Sequence, residues 1–317
     1  MKNANLSTIL EDLKISFKFA AKNAISYLLA LFGVIIVSVL LIAVVAAMIF
    51  IPFIFIIGMG NLTTFFNSFA SLDGTGLTNL ALGAIMFALP FIAPFFVAIG
   101  ALFGMGREIV ESEGTSAEGV FTWYKKKFFS LLGGGLVLFL VVIGPLLFAL
   151  VAGTAIYGAQ FFNIALISSG SVTTLNPIII ILVMIWLAVS TGLLSMIFPS
   201  IIDGYSVFAS TKRSIRMSIK YFDRIFGIWI AFLAILGALI LPLFTMPFFM
   251  DLTTPVFSIM AGLMIIYAIP AALILTLLYI PALTIGLTRT YMILTADDDH
   301  DEILEDDESG PSFIGGV

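Results

Sequence analysis

A chain of 317 residues that is 61% hydrophobic and 10% charged, with a mean hydropathy of +1.19, has too little polar surface to cover a soluble fold; soluble domains run at roughly 45–50% apolar and about 25% charged residues. The formal net charge of −5 is uneven, because nine of the nineteen acidic residues fall within 297–308 and leave 14 basic against 10 acidic residues elsewhere. The absence of cysteine excludes disulfides, thiolate nucleophiles and cysteine metal sites.

The first 23 residues read as an amphipathic helix, in which Leu6, Ile9, Leu10, Leu13, Phe17 and Ala20 recur at helical spacing beside Glu11, Lys14, Lys18 and Lys22. Thr8 and Glu11 have the spacing of a capping box at its start. The apolar run 24–57 follows. It is far longer than the roughly 7–15 residues of a signal-peptide core, so it is expected to persist as a first transmembrane span. Five further runs, 77–106, 128–158, 177–202, 225–250 and 256–287, each exceed the ~20 residues a helix needs to cross a hydrocarbon core of ~30 Å. A closed barrel needs segments of about ten residues with alternating polarity, and these runs are apolar on every side. The expected fold is all-α: a polytopic membrane protein of six transmembrane helices.

Two more basic amphipathic segments interrupt the spans. After span two, Thr115 and Glu118 are spaced as a capping box, and Ala117, Val120, Phe121, Tyr124 and Phe128 line up beside Lys125, Lys126 and Lys127. After span four, Phe208, Ile215, Ile219, Phe222 and Phe226 face Lys212, Arg213, Arg216, Lys220 and Arg224. Aligning Lys22, Lys126 and Lys220 gives periods of 104 and 94 residues. Each period then carries proline in both of its spans: Pro52, Pro145 and Pro242 in the odd ones, and Pro90 with Pro94, Pro199, and Pro270 with Pro281 in the even ones. Proline frees a carbonyl and kinks a membrane helix. The pattern predicts a transmembrane domain, 1–295, of three repeats at about 1–106, 107–204 and 205–295, followed by an acidic, disordered cytoplasmic tail, 296–317.

All fourteen Lys and Arg fall on one side of this six-span arrangement, and the opposite loops, 58–76, 159–176 and 251–255, hold only Asp73 and Asp251 as charges. Basic residues in short loops are retained in the cytoplasm, which predicts a cell-membrane protein with both termini cytoplasmic.

The chemistry-bearing residues are few. No ionisable residue falls in the middle of a span, so a proton relay or voltage sensor lacks its usual parts, and Asp203 sits at an inner span end. Ser38, Thr154, Ser190, Thr191, Ser195 and Thr276 are candidates for a polar path or for bonds to backbone carbonyls. Gly100 with Gly104, and the cluster Gly133 to Gly135, point to close helix contact. The sequence has no HExxH, GxSxG, Walker or dinucleotide motif, and its one histidine, His300, lies in the acidic tail. No catalytic residue, metal site or cofactor is therefore expected. Asp297, Asp299, Asp301 and Glu308 match four positions of an EF-hand loop, but Glu302 stands where the turn needs glycine. Asn61, Leu62 and Thr63 form a glycosylation sequon on the expected outer side.

The run Ser218, Ile219, Lys220, Tyr221, Phe222 before a glycine-containing span, echoed from Lys125 to Gly135, resembles the six-helix membrane domain beside bacterial glycerophosphodiester phosphodiesterases and related prokaryotic, often archaeal, membrane proteins. In the phosphodiesterases a separate soluble domain carries catalysis. The resemblance therefore implies a membrane-embedded role without a transferable site residue. The expected function is non-enzymatic: organising membrane lipids or a partner protein through an anionic-headgroup collar of Lys14, Lys18, Lys22, Lys125, Lys126, Lys127, Lys212, Arg213, Arg216 and Lys220. The expected partners are membrane lipids, anionic ones among them, with a protein partner or second copy and no nucleic acid. The alternative is a transporter or channel for a small apolar or lipid-like substrate.

Overall fold

The computed structural model describes residues 5–58, 61, 64, 74–157, 166–169, 172–245 and 256–308. Its first element, α1 (Leu6–Lys22), starts where the Asn5 side chain accepts the Thr8 N–H at 3.2 Å. The cap is thus Asn5 rather than the expected Thr8 and Glu11 pair, because an extended Asn5 reaches the first free N–H a turn earlier. Helix α2 (Ala24–Ile57) is followed by α3 (Gly74–Ser112) and α4 (Ala117–Lys126). The N-cap of α4 is Ser116, with no side-chain cap bond. The expected Thr115 and Glu118 box does not form, since Thr115 donates its hydroxyl to Glu108 at 2.7 Å.

Helices α5 (Phe128–Val142) and α6 (Gly144–Tyr157) meet at 41° around Ile143. Pro145 follows at once and has no N–H to continue the ladder; the indole of Trp186 donates to the Val142 carbonyl at 2.9 Å. A short antiparallel pair, β1 (Leu166–Ser169) and β2 (Val172–Leu175), aligns Leu166 with Leu175 and Ser169 with Val172. Apart from it, the described residues in regular structure are helical.

Helix α7 (Pro177–Leu193) begins with Pro177 in its first turn and an Asn176 cap onto Ile178. After a break at residues 194–196 comes α8 (Ile197–Asp203), closed by Gly204 at φ +116, a conformation that favours glycine. Then follow α9 (Val207–Lys220), α10 (Phe222–Thr245), α11 (Val256–Ile274), a π-helical turn (Leu275–Tyr279) and α12 (Ile280–Glu308). Helix α12 carries on into the segment expected to be a disordered tail. No glycine or proline interrupts it between Gly286 and Gly310.

Five stretches are long and apolar enough to cross a membrane: Ala24–Ile56, Leu89–Ser112, Pro177–Asp203, Phe222–Leu243 and Gly262–Ala296; the bent α5 and α6 pair makes a sixth if it counts as one span. The chain is therefore a multi-helix membrane protein. Its packed interior gathers at the end that bears the charges, while the opposite halves of the helices leave Phe55 and Ile56 83% exposed and Ile266 67% exposed. Such surface suits acyl chains and not water.

Three junctions shape the charged end. Helices α1, α4 and α9 each end in one non-helical residue before the next helix: Asn23 (φ −110, ψ 13), Lys127 (φ −118, ψ 17) and Tyr221 (φ −117, ψ 42). Their N–H groups bond to Phe19, Trp123 and Met217, and their carbonyls accept from Tyr27, Leu131 and Ile225, so the chain turns without orphaning a backbone group. The three donors, Tyr27, Leu131 and Ile225, are all buried. Helix α4 rests on α2 and α3, α9 on α5 and α8, and α1 on α10 and α12. Gly33 takes the tip of Phe121, Gly133 takes Val207 and Gly227 takes Ile9; a Cβ at any of them would collide with that side chain. Inside this ring α3, α8 and α12 touch one another.

Candidate functional site

The basic helices present their charges outward. Lys14, Lys18, Lys22, Lys125, Lys126, Lys212, Arg216 and Lys220 are exposed, whereas Lys127 and Arg213 are half-buried. Lys22 pairs with Glu113 at 3.3 Å, Lys126 lies over the Trp123 ring and Lys220 over Tyr221. Arg213 turns inward: it stacks on Tyr205 with 4.4 Å to the ring centroid, bonds the Tyr205 hydroxyl and reaches Thr295 at 3.4 Å.

Helix α9 is inverted relative to a soluble amphipathic helix. Its buried face is Ser210, Ser214, Met217 and Ser218, and the small hydroxyls let it lie close on the α7 to α8 break. Ser214 donates to the Leu193 carbonyl at 2.8 Å and accepts from the Met196 N–H at 3.1 Å, while Ser218 reaches the same break. Phe208 and Ile219 face out instead, 83% and 66% exposed, next to Lys212 and Arg216, and Phe222 at the start of α10 is 55% exposed. In α1 the stripe divides: Leu6 and Leu10 are exposed, while Ile9, Leu13, Phe17 and Ala20 pack inward.

Two ionic arrangements stand out that hydropathy alone does not reveal, the first buried and the second at the surface. Asp12 on α1 accepts from Arg224 and Arg289. At the ends of α3, α8 and α12, Asp203 accepts from Arg107 at 3.0 Å and from the Tyr291 hydroxyl at 2.9 Å, and Arg107 also pairs with Glu111 at 2.7 Å. The one clue in the sequence was that Arg224 and Arg289 border the apolar runs 225–250 and 256–287, while Asp12 lies within the first amphipathic helix. Glu108, almost one turn before Glu111, fixes α4 by accepting from Thr115 and from the Trp123 indole at 2.8 Å. Burial raises the Tyr124 phenol above its ordinary range, so it stays neutral against this packing.

The hydroxyls suggested as a polar path bond to backbone. Ser190 donates to Trp186, Thr191 to Leu187, Ser195 to Gly192 and Thr276 to Ala272, all within their own helices or the adjoining turn, and Ser38 reaches the Pro94 carbonyl at 3.4 Å. The Thr154 side chain, Leu62 and Thr63 of the sequon, and the side chains of 297–308 lie outside the described residues. Gly100 accommodates Leu131 and Phe198, Gly104 the Trp123 ring, Gly134 Ile201 and Gly135 Phe96. These glycines thus serve helix packing. Among the described residues no three acidic or histidine side chains come together as metal ligands.

Searched against protein-family models, curated proteins and solved structures, the chain matches none of them. The geometry itself defines the class: a helical membrane protein with a charged, tightly packed end and lipid-like outer halves.

Proposed function

We propose that the protein is a non-enzymatic integral membrane protein of six spans, with both termini cytoplasmic, that gathers anionic lipids through a collar of three basic amphipathic helices. The observation that carries this reading is the outward face of α9 and the start of α10, where Phe208, Ile219 and Phe222 are exposed beside Lys212 and Arg216. An apolar face flanked by Lys and Arg suits the boundary between acyl chains and anionic headgroups.

A threefold repeat underlies this collar in our reading. Asn23, Lys127 and Tyr221 each follow one of the aligned lysines Lys22, Lys126 and Lys220, and they share backbone geometry and hydrogen bonding. Each basic helix rests on the hairpin before it, and α1 closes the ring on the last one. Ile9 against Gly227 and Val207 against Gly133 occupy the same register in their repeats. The resemblance to the membrane domain beside glycerophosphodiester phosphodiesterases fits a membrane-embedded role of this kind.

Native mass spectrometry of the protein in mixed anionic and zwitterionic lipid tests the reading. The variant Lys212→Gln, Arg216→Gln, Lys220→Gln should retain fewer anionic lipids than the parent, and the parent's own retention should fall with salt. Equal retention in both proteins across salt concentrations would overturn it.

The alternative, transport of a small apolar or lipid-like molecule, draws on one feature. A cleft of about 450 Å³ between α10 and α11, lined by Leu239, Leu243, Ala268, Ala272 and Leu275, adjoins the π-helical turn. Ala272→Trp would fill it, and uptake of an apolar probe into proteoliposomes would then be blocked if this reading holds.

A further inference from the structure

Helices α10 and α11 do not close on one another away from the charged end, and the reason lies in the residues that face each other there. Helix α10 presents Leu239 and Leu243, whereas α11 presents Ala268, Ala271 and Ala272, with Leu275 opening the π-helical turn. Three methyl side chains leave unfilled what the leucines hold apart, and a cleft of about 450 Å³ remains. The cleft has a floor and a mouth. Ala271 is 5% exposed, while Ala272 is exposed and shares the outward face of α11 with exposed Ile269 and Leu273. Its mouth is therefore continuous with the surface that suits acyl chains.

Depth follows from counting along the helices. Leu239 lies 15 residues beyond Arg224, and Leu275 lies 14 residues before Arg289, which at 1.5 Å per residue places this end of the cleft about 21–22 Å from the charged end. Ala268, 21 residues before Arg289, lies about 31 Å from it. In a hydrocarbon core of ~30 Å, the cleft occupies the half remote from the charges.

The lining decides what fits. Every lining side chain is apolar, and the nearest hydroxyls are committed to backbone: Tyr267 donates to the Leu239 carbonyl at 2.9 Å and Thr276 to the Ala272 carbonyl at 2.8 Å. Internal water needs about two to four polar partners, which these side chains do not offer. A helix of a second copy is about 10–12 Å across, so two turns of it fill on the order of 800 Å³, well beyond the cleft. A single hydrocarbon chain is thin, flexible and already present at the mouth.

We propose that the cleft is a binding site for one hydrocarbon chain of a membrane lipid, whose headgroup lies at the membrane face opposite the charged end and whose chain enters past Ala272 to rest on Ala271. The site is independent of the lipid collar, since the basic residues of α1, α4 and α9 lie at the other end of the helices. It also differs from a transport path, because the chain stays tethered to a headgroup in the bilayer and does not cross.

The test uses the full-length protein in phosphatidylcholine vesicles that contain a small, varied fraction of phosphatidylcholine with a diazirine on one acyl chain; after irradiation, insertion sites are mapped by peptide mass spectrometry. Label within 239–243 and 268–275 should saturate as the probe fraction rises, whereas at Ile181 and Ile185, exposed on α7, it should rise in proportion to the probe. The variant Ala268→Leu, Ala272→Leu fills the cleft. It should lose the saturable label and keep that at Ile181 and Ile185, which also shows that the variant is folded. No label in the cleft, label that rises in proportion as on α7, or label that persists in the filled variant overturns the site. The position of the diazirine reads the leaflet: at the methyl end it should mark Leu239 and Leu275, and in mid-chain Leu243 and Ala268. The reverse order would bring the chain from the charged end and overturn the assigned leaflet.

Discussion

Arg224 donates both Nε and Nη2 to one oxygen of Asp12, at 3.1 and 2.9 Å, across 212 residues of sequence. Arg289 bonds the other oxygen, so one carboxylate holds the first helix to both helices of the last hairpin. Asp12 and Arg224 are 5% and 6% exposed. The pair fixes where α1 sits, and with it the outward direction of Lys14 and Lys18, which lie two and six residues further along the helix.

Removing that carboxylate should be costly. Asp12→Asn leaves two guanidinium groups without their counter-charge, and breaking a buried pair from one side typically costs about 3–5 kcal/mol. Thermal unfolding in detergent should show a large fall in Tm for Asp12→Asn. Lys14→Gln, on the exposed face, should stay within about 0.5 kcal/mol of the parent. A parent-like Tm for Asp12→Asn would mean that α1 is held by packing alone.

Glycine contacts separate packing from chain flexibility. At Gly135 an added Cβ would meet the Cβ and ring of Phe96, close to its backbone where little can yield, whereas at Gly237 nothing lies within 4 Å. Gly135→Ala should therefore destabilise by about 1–3 kcal/mol. Gly237→Ala, in a helix interior, should be neutral or stabilise by up to ~1 kcal/mol. The order of the two Tm values checks the packing of α3 against α5, and a reversed order would contradict it.

The helical membrane class was legible because hydropathy runs act over twenty residues and do not depend on tertiary partners. Local polar competition was harder to read. Thr115 had the spacing of a cap but found a carboxylate in Glu108, and Asn5 reached the first turn of α1 before Thr8 could. The direction of α9 was hidden for a related reason. Its apolar stripe, Phe208, Ile215 and Ile219, suggests a face for burial, yet serines at 210, 214 and 218 allow closer approach, and Ser214 and Ser218 meet free backbone groups of the α7 to α8 break. The meeting of Asp203 with Arg107 and Tyr291 depends on which three helices share the centre, and spacing along one chain carries no record of that.

Orientation has a direct check, because the chain contains no cysteine. Ser116→Cys, an exposed position before α4, should react with an impermeant thiol reagent only when the cytoplasmic face is open. Asn61→Cys, also exposed, should react from the outside in intact cells. The opposite labelling would invert the proposed topology, and labelling of both from one side would remove a span between them.

The environment of Phe208 decides between a membrane-facing and a water-facing α9. Phe208 is 83% exposed and Lys212, one turn on, is exposed beside it. A phenylalanine so placed costs little at the headgroup boundary, where its ring leaves water while the lysine stays near anionic oxygens. Phe208→Trp adds one indole to the three at Trp123, Trp186 and Trp229, and its contribution is read as the difference from the parent. At the boundary, that difference spectrum should be blue-shifted, quenched by lipids brominated near the headgroup and protected from aqueous iodide. If iodide quenches it and brominated lipid does not, α9 faces water, and its apolar residues need a protein partner instead of the bilayer.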